Sequence, residues 1–185
     1  MVVSTGDFEL TGAQLREVAR FAVGFACDAL PEFERVRPGD DRPRSAIAAA
    51  VRFIDGEPRS KLQRVTSLEA HRAAKDTDVP AARCAAQAAG DAASAAYLHP
   101  IAKATQVGHI LRAAANWVRI AELASDTPAA ATEAAMREAQ SRATPLLLEV
   151  LTRYPAFTAP SRVRTIQLMA ELDSRLRHRA APFGP

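Results

Sequence analysis

The chain has 185 residues, enough for one domain with a sizeable core, and it is rich in alanine, with 12 prolines, only 8 glycines and 5% aromatic residues. Alanine is the strongest helix former and prolines punctuate helices, so this balance predicts an all-α fold rather than a sheet-based one. A formal charge of +3, two distant cysteines (Cys27 and Cys84) and no basic or long apolar leading stretch point away from a membrane span, a secretory leader, a disulfide framework and a zinc site. The expectation is a cytoplasmic protein with two free, buried thiols.

Thr11 is expected to cap a first helix in a capping box with Gln14, and Leu15, Val18, Ala22, Ala26 and Leu30 recur at three and four residues along one face. Pro31 is expected to kink or end it. A second helix follows Asp41 as N-cap, with Pro43 in its first turn and Ile47, Ala50, Val51 and Ile54 as its apolar stripe up to Gly56. The third begins at Ser60, again boxed with a glutamine, Gln63, and is read with Leu62, Val65 and Leu68 turned inward and His71 and Lys75 close to the same side.

Pro80 opens a fourth helix built mostly of alanine, with Gly90 in its interior. An interior glycine costs about 1 kcal/mol against alanine, so it marks a point of tight packing and places this helix at the centre. Arg83, Gln87, Asp91 and Ser94 form its polar stripe. His99 and Pro100 are read as the break before a fifth helix, with Pro100 in the first turn, Val107, Ile110, Leu111, Trp117 and Val118 buried, and Lys103, Gln106 and His109 sharing another face. A sixth helix starts at Pro128 and is split by Pro145. The last runs from about Ser161 with Val163, Ile166, Leu168, Met169, Leu172 and Leu176 on its apolar side. The whole reads as a single-domain helical bundle over 1–185, of about seven helices around the alanine-rich one, with 1–10 and 180–185 poorly ordered.

Several site types are missing from the sequence: a phosphate-binding glycine loop, a serine elbow and an H-E-x-x-H pair. Polar chemistry gathers instead between Tyr97 and Leu111, in a chain with only four histidines and two tyrosines. If the third, fourth and fifth helices are neighbours, His71, Asp91, Tyr97, His99, Lys103, Gln106 and His109 converge, with Asp41, Arg42 and Arg44 on the rim. That group is a candidate for ligand or partner binding. Imidazoles beside a carboxylate also suit a metal or proton transfer near neutral pH, with His71, His99 and His109 as the metal candidates. The structural alternative is that the same residues cap helices and hydrogen-bond one another. The C-terminal Arg175, Arg177 and Arg179 suit a helix C-terminus, or a weak nucleic-acid patch that lacks interleaved aromatic residues.

The run Gly39–Arg44 with Ala46 and Ile47, the alanine-rich segment with Gly90, and Tyr97–Pro100 followed by Ala102–Val107 and His109–Leu111 resemble the bacterial Imm-5-like immunity protein family, from Asp40 to about Leu123. The resemblance implies an all-helical cytoplasmic protein that neutralises a cognate toxin by binding it. Together with the missing catalytic motifs it suggests a non-catalytic binding protein without a cofactor, with no membrane partner and nucleic acid disfavoured.

Overall fold

Thr11 and Gln14 do form the reciprocal capping box, and it starts α1 (Gly12–Val36). The computed structural model describes residues 2–3, 7–158 and 160–180; of the ends expected to be poorly ordered, 1, 4–6 and 181–185 lie outside the described residues, while 2–3, 7–10 and 180 are described and Leu10 is buried. After α1 come α2 (Arg42–Ile54), α3 (Lys61–Lys75), α4 (Pro80–Ser94), α5 (Val107–Leu123), α6 (Pro128–Ser141), α7 (Pro145–Thr152) and α8 (Arg164–Ala180). Two 3-10 turns, Ala95–Tyr97 and Ala104–Gln106, separate α4 from α5. The fold is all-α apart from a two-residue antiparallel pair, β1 (Val2–Val3) and β2 (Leu10–Thr11), with Val3 opposite Leu10. Among the described residues no helix is long and apolar enough to cross a membrane.

Prolines stand in the first turn of α2, α4, α6 and α7, where the missing N–H has no intrahelical partner to lose. Pro145 thus makes two helices of the expected split one, giving eight. Pro31 does not end the first helix, since α1 continues through it to Val36. An interior proline costs a helix about 3 kcal/mol, but Leu30 and Phe33 on either side are buried, and burial of two large apolar side chains offsets it.

The alanine-rich α4 is central: it packs against α1, α2, α3 and α5. Its residues from Ala85 to Ala93 are buried apart from the half-buried Gln87, and side chains that small let four neighbours come close. At Gly90 the neighbour is α3. A Cβ built on Gly90 would lie 2.8 Å from His71 Nε2, and Ser67 Oγ donates to the Gly90 carbonyl at 2.8 Å. Because α4 is so near, α3 buries its short or polar residues Gln63, Ser67, Ala70, Ala73 and Ala74. This overturns the expected orientation of Leu62, Val65 and Leu68, which are 36%, 41% and 51% exposed.

Other expectations change for local reasons. Asp41 is the N-cap residue of α2 but its side chain makes no capping bond; Asp40 Oδ1 accepts from the Arg42 N–H instead, at 3.3 Å. Phe53 rather than Val51 completes the buried stripe of α2, and Val163 lies exposed ahead of α8. Both cysteines are free, Cys84 buried and Cys27 exposed on the outer side of α1.

The Gly90 contact gives a test by double substitution. Gly90→Ala is expected to destabilise the chain while His71 is present, because the new methyl displaces the imidazole. In the His71→Ala background the same change should stabilise by about 0.5–1 kcal/mol through helix propensity alone. Urea unfolding midpoints of the four proteins measure the difference, and equal effects in both backgrounds contradict the contact.

Candidate functional site

Asp91 follows Gly90 on α4 and is carried into the interior, 2% exposed. Two helices of the site meet its carboxylate. From α5, Arg112 Nη1 lies 3.3 Å from Oδ1 and Asn116 Nδ2 donates to Oδ2 at 3.2 Å; from α3, His71 Nε2 is 3.7 Å from Oδ1. Burial pushes the Asp91 carboxyl up to about 7, against the pull of Arg112 and Asn116. Burial, Arg112 and Lys75 together hold the His71 imidazole below its ordinary value. Asn116 Nδ2 also reaches the Arg112 carbonyl at 3.1 Å, while its Oδ1 is buried without a partner.

One turn further along α4, Ser94 Oγ donates to the Asp91 carbonyl at 2.9 Å and lies 3.2 Å from His109 Nδ1. With its own hydrogen so used, the hydroxyl accepts from Nδ1–H, which assigns the tautomer and leaves the lone pair on Nε2. Burial, then Arg112 and His99, drive His109 down to about 4, so this imidazole is neutral at physiological pH.

His99 arrives from the connection between the two 3-10 turns. Its N–H donates to Gln106 Oε1 at 3.0 Å and its carbonyl accepts from the Tyr154 hydroxyl at 2.9 Å. Asp7 holds the residues that follow: its N–H donates to the Pro100 carbonyl at 2.8 Å and its Oδ2 accepts from the Ala102 N–H at 2.6 Å. These bonds explain why α5 starts at Val107 and not at Pro100. The carbonyls that a helix from Pro100 would use in its first turn are taken from elsewhere in the chain, that of Pro100 by the Asp7 N–H and that of His99 by the Tyr154 hydroxyl. The expected Lys103, Gln106 and His109 face is therefore not a helix face; only His109 lies within α5.

His99 and His109 line a surface cavity of about 570 Å³ together with Tyr97, Ser94, Ser67, Leu68, Arg59 and Arg64. The Tyr97 hydroxyl donates to the Ser60 carbonyl at 2.7 Å, and the Arg59 guanidinium lies over the Tyr97 ring at 5.1 Å while its Nη1 donates to the Ala96 carbonyl at 3.3 Å. The lining holds two guanidinium groups and two imidazoles, and no carboxylate.

The structure thus brings Tyr97, His99 and His109 to one cavity, and His71 and Asp91 to a cluster beside it in which Asp91 is buried and His71 is half-buried. Arg112 acts on both. Gln106 serves as a brace for the His99 backbone, and Lys103 is exposed with its N–H on the Ile101 carbonyl. The expected rim residues do not line the cavity. Arg42 bridges Asp40 and Asp76 at 2.6 and 2.8 Å, Arg44 pairs with Glu34, and Asp41 is exposed. Among the described residues no three His, Cys, Asp or Glu side chains are grouped to hold a metal, so His71, His99 and His109 do not form one set of ligands. The C-terminal arginines are engaged within the protein. Arg175 pairs with Glu133 and Glu171, Arg177 with Asp173, and Arg179 reaches the Ala143 carbonyl.

Four residues of the site were not legible as such: Arg59, Arg64, Arg112 and Asn116. Arg112 stands three residues after His109 and Asn116 one turn further on, a helical spacing that ties them to the same side. Nothing in the sequence distinguishes Arg59 and Arg64 from the many other arginines.

The site thus combines a buried acid on a central alanine-rich helix with an open cationic cavity beside it. The family model described as Imm-5 like putative immunity protein matches residues 9–141, and the chain belongs to that family. No curated protein and no solved structure matches the chain.

The two buried groups titrate with opposite effect on stability. Asp91 has its carboxyl raised from 3.8 to about 7, so its contribution is complete below about pH 4 and is lost as pH rises through 7. His109 is lowered from 6.5 to about 4, so its contribution is present above pH 6.5 and is lost as pH falls through 4. Relative to the parent chain, Asp91→Asn should therefore gain stability steadily as pH rises from 4 to 7, and His109→Gln should lose it over the same range. Chemical denaturation at several pH values reads both slopes, and parallel pH profiles for the three proteins contradict the assignment.

Proposed function

We propose that the protein is a non-catalytic immunity protein that neutralises a toxin by binding it. The family membership carries this reading. Three features of the site support it. Asp91, one of two buried acids among the described residues, is held by its own partners and does not line the cavity. His109 is held neutral with Nδ1 committed to Ser94, which suits hydrogen bonding more than proton shuttling at neutral pH. The His99 backbone is fixed at both its N–H and its carbonyl, and a backbone held in place beforehand loses little conformational entropy on binding.

Co-expression with toxin domains encoded by neighbouring genes tests the proposal. The expected outcome is a stoichiometric complex that survives gel filtration, together with loss of the toxin's effect on growth. If no neighbouring gene product binds, the reading fails.

A further inference from the structure

The cavity between α3 and the His99 connection continues outward into an apolar strip. Leu62, Val65 and Leu68 follow each other at intervals of three along the exposed side of α3, and Leu68 itself lines the cavity. Solvent-exposed aliphatic residues scattered singly need no explanation, but three in a row beside a concave cationic site form a continuous patch.

The charges around this patch are unevenly satisfied. Arg52 on α2 pairs with Glu57 and Arg72 on α3 pairs with Glu69, so the arginines to either side are neutralised. At the cavity Arg59 reaches only a backbone carbonyl and a tyrosine ring, and Arg64 has no acceptor among the described residues. A guanidinium recognises a carboxylate through parallel charge-assisted hydrogen bonds, and here the carboxylate is missing from the wall.

We infer that this face of the protein, with Arg59, Arg64 and His99 around the cavity and Leu62, Val65 and Leu68 beside it, docks a segment of a partner protein that presents an Asp or Glu flanked by apolar side chains. The carboxylate enters the cavity between the two guanidinium groups, and the flanking apolar side chains cover the α3 strip. A protein segment fits better than a nucleic acid. A polyphosphate backbone has no use for three exposed aliphatic residues, and Tyr97, the one Phe, Tyr or Trp side chain among the described residues of the lining, is already covered by Arg59. The inference rests on the toxin-binding reading for the partner's identity, but the surface itself is tested without a toxin.

The full chain, immobilised, is panned against phage-displayed random dodecapeptides, and the selected peptides are synthesised and titrated. The expected winners carry Asp or Glu next to Leu, Ile, Val or Phe. Their affinity should fall about tenfold or more on Arg64→Glu and on Leu68→Asp, and stay unchanged on the remote Arg35→Glu. A peptide with its acidic residue changed to lysine should regain binding to Arg64→Glu. Thermal midpoints of the variants equal to that of the parent show that folding is intact. The inference is overturned if no peptide is selected, if the winners lack acidic residues, or if they bind the Arg64→Glu and Leu68→Asp proteins as well as the parent. It is also overturned if these changes abolish binding of a labelled single-stranded oligonucleotide, which assigns the face to nucleic acid, or dissociate a dimer in sedimentation, which assigns it to a second copy. A toxin complex insensitive to both substitutions removes this surface and leaves the immunity reading standing. Selected acidic peptides without any toxin partner do the reverse.

Discussion

The seating of α3 on α4 at Gly90 is the contact on which the rest of the arrangement depends. Without a Cβ at that position the His71 ring and the Ser67 hydroxyl reach the α4 backbone, and the next residue, Asp91, is brought within range of an imidazole from α3 and a guanidinium from α5. The same closeness dictates what α3 shows to solvent. A helix that meets its neighbour through serine and alanine has no room for leucine on that side, so its aliphatic residues turn outward. The apolar strip on the surface and the buried acid in the core are two results of one short interhelical distance.

The site divides into a closed part and an open part, joined by Arg112. In the closed part a fully buried carboxylate is kept by hydrogen bonds from Arg112 and Asn116, at the cost of removing it from water. In the open part, imidazole and guanidinium groups stand around a cavity without an acid among them. Arg112 disfavours protonation of His71 on one side and of His109 on the other. His109 is therefore held as a neutral hydrogen-bonding group, and the positive charge of the cavity wall comes from Arg59 and Arg64.

Local signals read the helices well. The capping boxes at Thr11 and Ser60 and the prolines ahead of α2, α4, α6 and α7 act within a few residues, and so does the packing meaning of Gly90. What local signals could not carry was decided across the chain. Pro100 has the look of a helix start, but Asp7 and Tyr154 take the neighbouring backbone groups, and neither stands near it in sequence. Leu62, Val65 and Leu68 have a helical core pattern, and only the size of the residues facing α3 explains their exposure. Of the candidate residues, Tyr97, His99 and His109 share a cavity, whereas Arg42 and Arg44 form ion pairs with Asp40, Asp76 and Glu34, and Asp41 is exposed. Arg59 and Arg64 were hidden for another reason: what sets them apart is the absence of a nearby carboxylate, a property of the folded surface and not of any spacing.

Tyr154 stands just beyond α7, outside the stretch that the family model matches, yet its buried hydroxyl bonds to the carbonyl of His99, 55 residues earlier. Its ring meets Phe8 edge-on, 5.1 Å between centroids, and its own carbonyl accepts from Arg177 of α8 at 3.0 Å. The chain's two flanks are therefore clasped at one phenol, directly behind a histidine of the cavity wall. Altering that clasp would re-aim His99 without touching any residue that lines the cavity. The edge of the family match is consequently not the edge of what holds the cavity wall in place, since Tyr154 and Arg177 beyond it support His99.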